Sequence, residues 1–173
     1  KELEKITAHS EIIILSDEVY EHIVFDGQKH ASICRNKGLT DRAIAVFSFG
    51  KTFHVTGWKI GYCIGPKQLM VEFRKVHQFN VFSSNHPLQH ALTTYLNDPE
   101  NFLSLSSFYQ NKRDVFLSAI KGSRFKVVPS KGTYFQLLDY SSISDQNDVM
   151  FAERLVHEYK IASIPVSVFY NSP

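Results

Sequence analysis

A lysine at the mouth of an apolar run, flanked by a glycine and a threonine, is placed for one of two chemistries. Lys51 follows the run Ala-Ile-Ala-Val-Phe at 43–47 and sits between Gly50 and Thr52. Gly-Lys-Thr closes the phosphate loop G-x-x-x-x-G-K-[ST], whose backbone amides cradle a nucleotide. The alternative is a lysine whose neutral amine attacks a carbonyl and forms a Schiff base. The nucleotide loop requires glycine at position 45, where this chain has Ala45, inside the apolar run. It also requires a helix after the threonine, but Gly57 interrupts early and the strand-like run 60–64 follows. The loop fails on both counts, and the Schiff-base reading stands.

An aldehyde cofactor such as pyridoxal phosphate asks for particular companions. Its ring nitrogen needs a carboxylate to stay protonated, so that the ring acts as an electron sink. Its ring oxygen needs a donor, and its phosphate needs hydroxyls and a cation. Each is present at the end of an expected strand: Asp17 is the carboxylate, Tyr20 the phenol, and Ser48 and Lys59 flank Lys51 as phosphate ligands. In open α/β sheets the carboxyl ends of the strands are where ligands bind.

Two separated segments then agree on one family. Ser16-Asp17-Glu18-Val19-Tyr20, with Ser48-Phe49-Gly50-Lys51-Thr52-Phe53 and Thr56-Gly57-Trp58-Lys59-Ile60-Gly61-Tyr62, resembles the signature of the class I/II aminotransferases. These are fold-type I pyridoxal-phosphate enzymes. The closest resemblance is to the branch holding kynurenine aminotransferase (glutamine transaminase K) and methionine aminotransferase. The resemblance implies that Asp17 pairs with the pyridine nitrogen, Tyr20 bonds the ring oxygen and Lys51 forms the Schiff base. Ser48 and Lys59 hold the phosphate; the family commonly has arginine where Lys59 stands, and lysine gives a point charge in place of a bidentate fork.

The resemblance further implies transamination between an L-amino acid (aromatic, methionine or glutamine type) and a 2-oxo acid, in a cytoplasmic homodimer with active sites at the interface. Asn80-Val81-Phe82-Ser83-Ser84 resembles the segment that reaches the partner subunit. Phe82 there is either a lining residue of the neighbour's substrate pocket or an ordinary core phenylalanine. A cysteine-conjugate β-lyase on the same scaffold shares every motif, and a catalytically incomplete dimerisation unit is a third reading. The family's ring-stacking aromatic falls upstream of Lys1, and its carboxylate-binding arginine falls downstream of Pro173. The ends read as those of a piece of a longer protein, inactive by itself.

Composition sets the bounds. In 173 residues, 43% hydrophobic and 21% charged, the chain has the mix of an ordinary soluble globular protein. A net charge of +2 is too small to argue for nucleic acid or an anionic membrane. Cys34 and Cys63 have no metal-ligand spacing and fit a reduced, cytoplasmic or organelle-matrix setting. The eight histidines, His54 among them, show no metal pattern either. His54 reads as a satisfied or exposed histidine, and Trp58 as packing.

The elements expected to position these residues are those of an α/β protein. The resemblance implies that 1–115 is the second half of a pyridoxal-phosphate transferase large domain, a mostly parallel sheet with helices on both faces. The start of an α+β small domain follows over 116–173. A charged helix at 1–10 leads to a buried strand at 12–15, then irregular chain, a buried strand at 43–47 and a third at 60–64. Helices follow at 66–79 and 88–96, and one long helix runs from about 98 to 120. The apolar stripes at 69–79 and 102–120 read as core. Strands at 125–128 and 133–138 form a hairpin-like pair, Asp148 caps a helix over 149–159, and 161–164 is strand-like.

Overall fold

The structure is a computed structural model that describes residues 2–171. It divides into two compact units, Lys1–Phe116 with Ser130–Phe135, and Leu117–Pro129 with Gln136–Pro173.

The first unit is built on a three-stranded sheet in the order β1-β2-β3: β1 is Ile14–Asp17, β2 Ala43–Ser48 and β3 Gly61–Ile64. β1 and β2 are parallel, with Asp17 opposite Val46, and β2 and β3 are antiparallel, with Ser48 opposite Gly61. β2 is central and alternates strictly, with Ala43, Ala45 and Phe47 buried. These three pack with Ile33, Leu39 and Ile14 on one face. β1 is an edge strand in this sheet, and the expected burial of 12–15 is not found: Leu15 is 72% exposed. The connection from β1 to β2 uses only short 3-10 turns at Ile33–Arg35 and Thr40–Arg42.

Around the sheet lie α1 (Glu2–Ile6), α2 (Phe49–Thr52), α3 (Lys67–Asn80), α4 (His86–Leu96), α5 (Glu100–Leu103) and α6 (Leu105–Ala119). Lys1 of the expected first helix lies outside the described residues. α4 starts two residues before the expected 88: Asn85 Oδ1 accepts from Leu88 N–H at 3.1 Å, and Pro87 occupies the first turn. The expected long helix is instead two, α5 and α6, divided at Ser104, whose hydroxyl bonds back to the Glu100 carbonyl.

Ile23, Phe25 and Leu105 form a second cluster with Tyr20, Phe102 and Tyr109; Phe53, Ile60 and Leu92 form a third with Phe49 and Leu88. The helical stripes read as core are only partly so. α3 buries none of its residues, with Val76 and Phe79 largely exposed, and α6 buries Leu105 while Val115 and Phe116 stay exposed. An apolar stripe is a core face only where another element covers it.

The second unit holds β4 (Lys126–Val127) antiparallel to β5 (Leu138–Asp139), and α7 (Asp148–Arg154) continued by a π-helical turn over Leu155–Tyr159. Asn147, not Asp148, caps α7, its side chain accepting from Met150 N–H at 2.9 Å. The Asp148 carboxylate instead accepts from the backbone N–H and hydroxyl of Ser167. Residues 161–164 form no strand. The hairpin is shorter than expected, because Ser130–Phe135 joins the first unit: Phe25 N–H donates to Lys131 O and Thr133 N–H to Ile23 O, both at 2.9 Å. No helix among the described residues is long and apolar enough to cross a membrane.

Candidate active site

Parallel register brings the chemistry to one end of the sheet. Because Asp17 lies opposite Val46, the carboxyl ends of β1 and β2 fall at the same end of the sheet, β2 running two residues further and leading directly into α2. Ser48 caps that short helix: its Oγ accepts from the Lys51 backbone N–H at 3.3 Å, and its carbonyl accepts from Thr52 Oγ1 at 3.1 Å. Lys51 is thereby fixed one turn past the strand. Gly50 has a steric reason to be glycine, since a β-carbon there would come within 2.9 Å of Thr56 Cα. Thr56 Oγ1 also bonds the Gly50 carbonyl at 3.2 Å and closes the turn.

Half-buried Lys51 lines an open cavity of about 400 Å³ together with Gly50, His54, Thr56, Tyr109 and Tyr134. The Lys51 Nζ lies 5.9 Å from the Tyr134 ring centroid. Tyr20 adjoins this group through Tyr134, with ring centroids 5.0 Å apart in an edge-to-face arrangement. Burial, the neighbouring Tyr134 phenol and the Asp17 charge all raise the Tyr20 phenol well above its usual range. For Tyr134 burial also acts upward, but contacts with Tyr20 and Lys51 outweigh it and hold that phenol below its usual value.

Asp17, Lys59 and Phe82 do not line the cavity. Asp17 is exposed at the end of β1, its Oδ1 accepting from Val19 N–H at 3.3 Å. Lys59 is exposed and adopts a left-handed backbone, φ 55°, after the Thr56–Trp58 turn. Phe82 is 80% exposed at φ 67° and belongs to no core cluster of the described residues. Trp58 is 37% exposed. His54 is exposed too, and its Nδ1 lies 3.1 Å from the Tyr109 hydroxyl.

Three residues were not legible as site residues. Tyr109 and Tyr134 arrive from distant segments, one inside an apolar helical stripe and one inside an expected strand. Glu18 lies within the recognised motif, yet is turned inward at 5% exposure. It accepts from Ile33 N–H at 2.9 Å and Ser16 Oγ at 3.1 Å, and its Oε2 lies 2.7 Å from His30 Nε2. Burial would raise its carboxyl, but these hydrogen bonds hold it below the usual value. Among the described residues no cluster of metal-ligating side chains occurs.

An amine, three phenols, a carboxylate and a hydroxyl beside a cavity suit an aldehyde cofactor. The whole chain, residues 1–173, also matches the family model for aminotransferase class I and II. The chain belongs to the class I and II aminotransferases. Enzymes of this family depend on pyridoxal phosphate. The chain is 50% identical over 167 residues to a methionine aminotransferase of Escherichia coli, an overlap of 96% of this chain and 43% of that protein. It is 37% identical to a kynurenine–oxoglutarate transaminase of Dictyostelium discoideum, covering 91% of this chain and 40% of the relative.

The fold agrees. A crystal structure of the Escherichia coli methionine aminotransferase superposes with a TM-score of 0.94 at 49% identity, covering 99% of this chain and 46% of that one. N-succinyldiaminopimelate aminotransferase from Mycobacterium tuberculosis superposes at 0.91 and 29% identity, over 98% and 44%. The α/β architecture is therefore that of part of a fold-type I aminotransferase. This aminotransferase chain spans about two fifths of the length of the curated relatives it matches.

Proposed function

We propose that the whole protein is a pyridoxal-phosphate-dependent aminotransferase, and that Lys51 is the lysine that carries the cofactor. The observation that carries this reading is the half-buried Lys51 amine in a phenol-lined cavity at the shared carboxyl ends of β1 and β2. Lys51 would hold the cofactor's aldehyde carbon, Asp17 its ring nitrogen, Tyr20 its ring oxygen, and Ser48 and Lys59 its phosphate. When bound, the cofactor supplies an electron sink for the pair of electrons left on the substrate α-carbon.

The Lys51 amine, once free, would take the proton from that α-carbon and deliver it to the cofactor carbon it had held, and would run the same transfer in reverse in the second half-reaction. Asp17 accepts a hydrogen bond from the ring nitrogen and favours its charged form. Tyr20, whose proton is held tightly, donates to the ring oxygen. Ser48 donates its hydroxyl to the phosphate while its lone pair caps α2, and Lys59 adds a positive charge. The substrates are an L-amino acid and a 2-oxo acid. The 50% identical relative supports a methionine-type amino donor, and the kynurenine transaminases support an aromatic one. The protein works in the cytoplasm as a homodimer, with Phe82 of one copy lining the substrate pocket of the other.

The test uses the complete protein. With cofactor, methionine and a 2-oxo acid, the product should be the oxo acid that retains the methionine side chain. A thiol released with ammonia from a cysteine conjugate, and no amino transfer, would replace this reading with β-elimination. Lys51→Ala should remove the visible absorbance of the lysine-bound cofactor and lower turnover by about two to four orders of magnitude.

A further inference from the structure

We propose that Tyr134 is a positioning residue of this site, its phenol keeping the Lys51 amine aligned in the cavity. Three independent observations point to it. First, Tyr134 and Lys51 line the same cavity, and Nζ stands over the ring at 5.9 Å. Second, Tyr134 is the hub of the aromatic group, in contact with Tyr20 at 5.0 Å, Tyr109 at 5.7 Å and Phe135 at 4.9 Å between centroids. Third, the backbone that delivers it is held in a conformation its sequence disfavours.

Thr133 has φ 64°, the left-handed region that a β-branched residue avoids. It is held there by its N–H bond to Ile23 O at 2.9 Å, while its Oγ1 accepts from Phe135 N–H at 3.1 Å. Arg113 secures the start of the segment, donating to the Ser130 carbonyl at 2.6 Å and to both Asp26 carboxylate oxygens at 2.7 and 2.8 Å. Strain that the surrounding structure over-determines collects at functional sites, and here it fixes the segment that brings Tyr134 to the cavity.

The groups facing Tyr134 are Lys51 from α2, Tyr20 with Asp17 beyond it after β1, and Tyr109 from α6 with His54 against it. Lys51 brings the positive charge, and its contact and that with Tyr20 hold the Tyr134 phenol below its usual value. An acceptor at this point holds the amine within reach of the cavity after it leaves the cofactor.

This inference rests on Lys51 being the cofactor lysine, and the experiment separates the two. In the cofactor-free complete protein, ultraviolet difference titration of wild type against Tyr134→Phe reports the ionisation of this phenol together with the change its loss imposes on Tyr20. Repeated in a Lys51→Met background, its midpoint should rise by about one unit or more. In the loaded enzyme Tyr134→Phe, which keeps the ring packing, should retain the visible absorbance and lose about ten-fold in kcat, with KM little changed. A midpoint unmoved by Lys51→Met, or an unchanged kcat, overturns the role of Tyr134. A wild-type protein that binds no cofactor through Lys51 overturns the parent reading, while the phenol titration still reports whether the two side chains interact.

Discussion

Glu18 sits between Asp17 and Tyr20 and does a different job from either. Its carboxylate is turned into the first unit, where it ties the chain at 30–33 to the end of β1. Its backbone N–H extends the parallel ladder to Val46 O at 2.8 Å. Alternation along the extended chain then sends Asp17 to the opposite side, toward solvent. Glu18→Ala should lower stability by about 1–3 kcal/mol, because it leaves the buried Ile33 N–H without an acceptor. Thermal unfolding at neutral pH measures it.

The same carboxyl gives a pH prediction. Its folded value lies below the ordinary 4.5, so its stabilising contribution is complete above that pH and is lost as pH falls through the folded value. The gap in melting temperature between wild type and Glu18→Gln should therefore narrow in acid. A constant gap from pH 7 to pH 3 would contradict the assignment.

At the scale of elements, close approach and anchoring decide what the motif residues do. Gly61 opens β3 opposite Ser48, and a β-carbon there would collide with the Phe47 carbonyl. Gly61→Ala should cost about 1–3 kcal/mol by forcing β3 away from β2, seen as a lower denaturation midpoint with an unchanged denaturant slope. Arg113, its side chain 8% exposed, clamps Ser130–Phe135 by its bonds to Asp26 and Ser130 and lies over the Phe25 ring at 4.9 Å. Arg113→Met should release that segment, raising hydrogen exchange at the Thr133 amide by about ten-fold or more. Equal exchange in the two proteins would mean that the strand-like bonds to Ile23 suffice alone.

These elements also divide what could be read from residues from what could not. The helix over 88–96 was legible because its pattern is local, and its cap Asn85, followed by Pro87, starts it two residues earlier. The break at Ser104 was not, because the apolar period runs through it and the turn is set by one hydroxyl bond. The short hairpin was not legible either. Residues 133–138 have strand composition, but Gly132 and Thr133 are drawn to Val24 and Ile23 by backbone pairing distant in sequence.

For the molecule as a whole, the unpartnered surfaces matter most. Phe79 on α3 is 88% exposed, and Val76, Val81 and Phe82 lie open on the same stretch. An apolar patch of this kind marks a surface that another element or chain covers. The homodimer proposed above makes a measurable statement: sedimentation equilibrium of the complete protein should give twice the chain mass. Phe82→Ala should raise KM for the amino acid roughly ten-fold, the worth of one lost apolar contact, without changing the cofactor absorbance.

The family and the α/β class were legible in the chain alone, and so were the five residues proposed to hold pyridoxal phosphate. They were legible because Asp17, Tyr20, Ser48, Lys51 and Lys59 lie in short segments whose spacing follows from strand ends and tight turns. Only the tertiary structure decided what surrounds Lys51. Tyr109 and Tyr134 reach it from α6 and from a segment drawn out of a hairpin, and Glu18 is buried while its neighbour Asp17 is not. Those outcomes depend on long-range backbone bonds and on one arginine clamp, which leave no period or spacing in the chain.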